Sequence, residues 1–221
     1  MAVGQEADCS LVVAGLLMNS SLSTNQVLSR RKSNGIVAGV LFFALAAQFM
    51  TVIMLAAAMA PGYDYAGGAI SDLGNVPTTA IFFNISLLAA GTFNLAGGVL
   101  LWRDHRKAWL LALFILASVG AIGAALMPLG VSRWHGIFAL FAFLFFNGQT
   151  VGSAAIVNGP MRWVALLLGV IGLGYVAVMV AGDSGITAAF GPFGHGGAER
   201  LIVYPPMIWL IAFGGQLMSE R

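Results

Sequence analysis

The sequence predicts an all-α membrane protein: a six-transmembrane-helix bundle with both termini on the cytoplasmic side. Three observations predict it. Only 8% of the 221 residues are charged while 59% are hydrophobic, whereas a soluble domain carries roughly 25% charge. The apolar residues are gathered into six long runs free of charge. The basic residues fall between those runs in an asymmetric way, as the positive-inside rule requires.

The first stretch, residues 1–34, reads as a leader, interfacial or unstructured. Its apolar run Leu11–Met18 is too short to cross about 30 Å of hydrocarbon. Glu6 and Asp8 stand where a signal peptide would carry basic residues. The spans follow at about 35–60, 80–102, 108–127, 136–157, 163–181 and 201–218, each long enough for a helix rising about 1.5 Å per residue. Residues 219–221 form a short tail. With the N-terminus inside, eight of the ten Lys and Arg residues lie on the cytoplasmic side, Arg133 and Arg200 being the exceptions. A multi-pass protein of the plasma membrane is the expected localisation.

Composition also excludes some functions. The net charge of +2 sets topology here, so no nucleic-acid partner is expected. The lone Cys9 excludes an intramolecular disulfide and any multi-cysteine metal site. The span centres hold Gln48, Asn94, Asn147 and Gln149 but no ionisable group, which counts against ion-coupled transport; interhelical hydrogen bonding explains the amides. Gly35/Gly39, Gly148/Gly152, Gly120 with Ala124, and Gly169/Gly172/Gly174 are close-approach signals. They pack the bundle, and they also offer faces through which a homo-oligomer could form. Pro205 and Pro206 remove two backbone donors from the sixth span.

The polar residues that could carry chemistry converge on the extracytoplasmic side. The loop between the first two spans, Pro61–Pro77, holds Asp64 and Asp72; Arg133 and His135 head the fourth span; Asp183, His195, Glu199 and Arg200 precede the sixth. Asn84 and Tyr204 lie just inside their spans. Ligand-binding candidates are therefore Asp72, Asn84, Arg133, His135, Glu199, Arg200 and Tyr204. In this reading the two arginines hold an anionic group, Asp72, Glu199 and His135 orient it, and Asn84 supports Asp72. Asp72 with Arg200, or Glu199 with Arg133, could equally be interfacial ion pairs of a scaffold.

Catalytic candidates are His135, His195, Glu199 and Asp72, serving a membrane-embedded hydrolase or transferase. No cofactor is expected. The one donor set on offer, Asp72, His135, His195 and Glu199, would suit zinc, but no H-E-x-x-H pattern is present and Gly196-Gly197 are poor helix formers. A triad of Ser71, His135 and Asp72 lacks a nucleophile-elbow motif. His105, within Arg103–Lys107, reads as part of a solvated inner turn.

Ser71-Asp72-Leu73-Gly74 ahead of Phe82-Phe83-Asn84, then Leu126-Met127-Pro128 followed by His135, then Glu199-Arg200 before the final span, resemble the prokaryotic membrane-protein family catalogued as domain of unknown function 998. The resemblance covers about residues 35–218. It implies a six-helix fold and a shared set of residues on one face, and supplies no reaction. The acid that the family often has between that proline and histidine is missing from Leu129–Ser132. The functional expectation is a polar extracytoplasmic pocket for a lipid headgroup or small amphiphile, with membrane lipids as partners. A hydrolase or transferase, and a purely structural scaffold, are the alternatives.

Overall fold

The computed structural model describes residues 32–219. The expected interfacial leader lies almost wholly outside these residues, as does the end of the tail. Six helices run in order: α1 Lys32–Met59, α2 Ala80–His105, α3 Ala108–Leu126, α4 His135–Ser153, α5 Pro160–Asp183 and α6 Gly194–Ser219. All six are long and apolar enough to cross a membrane. No strand occurs among the described residues. The shortest helices have 19 residues, about 29 Å at the α-helical rise, which matches the hydrocarbon thickness.

Consecutive helices from α2 to α6 pack on one another, and α6 also packs on α4. The α1 helix meets α2, α3 and α6 through Phe42, which stacks on Phe114 at 5.4 Å and on Phe213 at 5.8 Å. Gly39 and Gly214 bring the α1 and α6 backbones into direct contact. Trp209, Phe213, Leu210 and Ile202 of α6 are fully or almost fully buried. Large apolar side chains such as Met54, Ile81, Trp163 and Leu167 point outward instead. An inward core together with an apolar outer surface is what hydrocarbon solvent demands.

The buried amides act as ties between helices. Asn94 of α2 and Gln149 of α4 exchange hydrogen bonds of 3.0 and 2.8 Å, and Asn94 also donates to Ser118 Oγ of α3 at 3.1 Å. Gln48 and Ser86 link α1 to α2 in the same way, with Ser86 Oγ donating at 2.6 Å. Asn147 repairs a defect: Pro206 has no N–H for the carbonyl of Ile202, four residues earlier. Asn147 Nδ2 donates to that carbonyl at 3.0 Å, so α4 completes the hydrogen bonding of α6. Gln149→Leu should leave Asn94 Oδ1 without its donor and lower stability by about 0.6–2 kcal/mol, read as a reduced Tm in detergent. An unchanged Tm would show that the pair contributes nothing.

Three connections, 60–79, 127–134 and 184–193, gather at one end of the bundle. The other two, Arg106-Lys107 and 154–159, lie at the opposite end, where Asn34 Nδ2 donates to Asp104 Oδ1 at 3.0 Å. The first connection carries a short 3-10 turn, Ser71–Gly74, and the last a 3-10 stretch, Thr187–Phe193.

Candidate functional site

The first loop is bolted onto the N-terminal turns of α6. Gly196 N donates to Ala66 O at 2.9 Å. Arg200 Nη1 is shared among the carbonyls of Gly196, Tyr65 and Gly68 at 2.7, 2.9 and 3.2 Å. Its Nη2 donates to Tyr63 Oη at 2.8 Å, and the guanidinium lies 4.9 Å from the centre of the Tyr65 ring. Burial raises the pKa of Tyr63 above the ordinary phenol value, and its hydroxyl donates to the Ala69 carbonyl at 2.7 Å. Asp64 is solvent-exposed and caps its own loop, and the N–H groups of Ala66 and Gly67 hold its carboxyl below the ordinary value.

Beneath the loop, Glu199 is 3% exposed. It accepts from Ile70 N at 2.5 Å and Ser71 N at 3.3 Å. Asp72 Oδ2 accepts from Ala69 N at 2.8 Å. The acidic side chains are therefore hydrogen-bonded by backbone donors of the loop, and not by the arginines of the scaffold alternative. Neither expected scaffold pair forms, because Arg200 is occupied by carbonyl oxygens and Arg133 is exposed over the Trp134 ring at 5.3 Å. Asn84 Nδ2 donates to Gly74 O at 2.9 Å, so it holds the 3-10 turn carrying Asp72 and leaves the carboxylate alone. Tyr204 packs half-buried against the core.

These elements enclose a cleft of about 620 Å³, with Ser71, Asp72, His135, Asp183, His195 and Glu199 among its lining residues. Apolar side chains make up most of the rest, from Leu140 and Phe143 of α4 and Val176, Met179 and Val180 of α5, with Ser184 beside them. Leu140 and Val180 are themselves exposed on the bundle surface, so the cleft opens sideways between α4 and α5. A narrow apolar shaft of about 70 Å³ adjoins it and shares Ser71, His135, Ala139, Phe143 and Glu199 with it. The shaft continues along α4 to Asn147, twelve residues or about 18 Å from His135.

His135 is 6% exposed. Its Nδ1 lies 2.9 Å from Met127 O, while Nε2 is buried without a hydrogen-bond partner. This contact overturns the triad of Ser71, His135 and Asp72, since a backbone carbonyl takes the imidazole position that an aspartate would need. At the cleft rim His195 Nε2 lies 3.2 Å from Asp183 Oδ1, with its ring edge-on to Phe190. Asp72, His135, His195 and Glu199 thus share one cleft. Among the described residues, however, no three His, Cys, Asp or Glu side chains stand close enough together to hold a metal ion. Residues of all three connections at this end line the cleft, and Arg133, Arg200, Asn84 and Tyr204 fall outside its lining. The sequence signalled neither the carbonyl cluster around Arg200 nor the role of Met127 O, because backbone groups leave no mark on composition.

Six apolar helices closed at one end by a docked loop define an integral, multi-pass membrane protein. Over residues 36–216 the chain matches the family described as protein of unknown function (DUF998), and it belongs to that family. No curated protein and no solved structure matches it.

Proposed function

We propose that this protein binds a small amphiphile drawn from the surrounding lipid. The observation that carries the reading is the two-sided cleft. Carboxylates and imidazoles of the first loop, α4 and α6 face apolar side chains of α4 and α5 across about 620 Å³, a volume typical of small-molecule sites. An entrant from the bilayer would pass between Leu140 and Val180 without leaving hydrocarbon. Its head would meet Asp72, His135 and Glu199, and a slender apolar group could extend past Ala139 into the shaft.

We also place this end of the bundle on the extracytoplasmic face of the plasma membrane. Arg103, Arg106, Lys107 and Arg162 crowd the opposite end, where the positive-inside rule puts cytoplasmic charge.

Native mass spectrometry of protein released from lipid nanodiscs tests the reading. Wild type should retain a small amphiphile. Ala139→Phe, which fills the junction of cleft and shaft, should lose it while keeping the wild-type Tm within a few degrees. Equal retention by a folded Ala139→Phe protein would refute the site.

A second reading rests on the unpartnered His135 Nε2, which has the geometry of a general base for a hydrolase or transferase. It predicts that His135→Ala abolishes turnover of a lipid ester. If wild type shows no turnover, the binding reading stands alone.

A further inference from the structure

The chemistry of the head follows from which atoms of the cleft remain able to bond, granted the reading of the cleft as an amphiphile site. Its acidic lining residues are Asp72, Asp183 and Glu199, and among the described residues no lysine or arginine lines it. The two arginines nearest in sequence are engaged elsewhere. Arg200 bonds three carbonyls and Tyr63, and Arg133 lies over Trp134 at the surface.

His135 supplies an independent and more specific indication. A backbone carbonyl can only accept, so the contact of Nδ1 with Met127 O at 2.9 Å fixes the proton of the neutral ring on Nδ1. The Nε2 atom is then left with a lone pair, buried and without a partner, in a residue that lines both the cleft and the shaft. A buried acceptor of this kind is costly unless a ligand donates to it. An anionic head offers no proton to that lone pair and would face the carboxyl groups of Asp72 and Glu199.

We infer that the cleft selects an amphiphile whose head is a protonated amine, donating one N–H to His135 Nε2 and lying within reach of the Asp72 and Glu199 carboxylates. A quaternary ammonium carries the same charge but has no N–H to donate, so it ranks below a primary amine. An alcohol donates but lacks the charge, and a carboxylate lacks both.

The test presents purified full-length protein, in maltoside detergent, with decylamine, decyltrimethylammonium, decanol and decanoate separately at equal concentration. Native mass spectrometry reads the bound fraction. Decylamine should exceed decanoate by at least about tenfold and should also exceed the quaternary analogue, on the scale of one charge-assisted hydrogen bond. His135→Ala should remove the preference for decylamine over decyltrimethylammonium. Asp72→Asn keeps an oxygen for Ala69 N and serves as a second variant if His135→Ala does not fold. It should weaken decylamine about tenfold and leave decanol unchanged.

Decanoate or decanol binding as well as decylamine would overturn the amine inference and leave the amphiphile site standing. Equal binding of decyltrimethylammonium would overturn the role given to His135. If wild type retains no decyl probe above the Ala139→Phe level, both the inference and the proposed function fail.

Discussion

Glu199→Ala is expected to release the first loop from the bundle and to cost several kcal/mol of stability. Two backbone donors lose their acceptor at once, Ile70 N at 2.5 Å and Ser71 N at 3.3 Å. Ile70 is 2% exposed, so water cannot take over without opening the loop. An unsatisfied buried donor costs about 1–3 kcal/mol, and more where the lost acceptor was charged. Removing the side chain also leaves a void beneath the loop, which adds to the loss. Glu199→Gln separates these effects. Its carbonyl oxygen can still accept from Ile70, but its amide group confronts the N–H of Ser71, so an intermediate loss is expected. The measurements are Tm in detergent and proteolytic cleavage within residues 60–79. If Glu199→Ala leaves both unchanged, the carboxylate does not anchor the loop.

That anchoring was only partly legible in the sequence. The helices were legible because hydrocarbon imposes one strong requirement, an uncharged run of about 20 residues, and charges cannot hide inside such a run. The convergence of Asp72, His135, His195 and Glu199 was legible for the same reason, since polar side chains excluded from the spans must collect at their ends. Their partners were not. Asp72 and Arg200 carry complementary charges, yet the irregular loop exposes its own amides and carbonyls. Asp72 therefore takes Ala69 N, and Arg200 takes the oxygens of Tyr65, Gly68 and Gly196.

The start of α6 shows the same competition. Gly196 and Gly197 have poor helix propensity, so the sequence places the span after them, whereas the helix begins at Gly194. Packing requires the glycine: a Cβ on residue 196 would lie 2.1 Å from Gly68 O and drive the loop off the helix. Local propensity yields there to a tertiary contact whose partner is more than a hundred residues distant.

Gly172→Ala is the second substitution expected to have a large effect, and it acts in the middle of the bundle. A Cβ at position 172 would stand 1.7 Å from Asn147 Oδ1, far inside contact distance. The Asn147 side chain has little freedom to retreat, because its Nδ2 is committed to the carbonyls of Phe143 and Ile202 at 2.8 and 3.0 Å. Either the amide swings away and exposes the carbonyl that Pro206 leaves open, or α5 moves away from α4. Overpacking of this kind costs about 1–3 kcal/mol, and losing the interhelical hydrogen bond adds about 0.6–2 kcal/mol. A double-mutant cycle with Asn147→Ala tests the cause. Asn147→Ala alone forfeits the tie to Ile202, but it removes the atom that the new methyl would strike. The double variant should therefore be more stable than the sum of the single losses allows, with a coupling of about 1 kcal/mol or more. Additive losses in Tm or in denaturant midpoint would place the damage elsewhere, in the contact of Gly172 with the rest of α4. A positive coupling would show that Gly172 is present to make room for Asn147, the residue that ties α4 to the carbonyl of α6 that Pro206 leaves open.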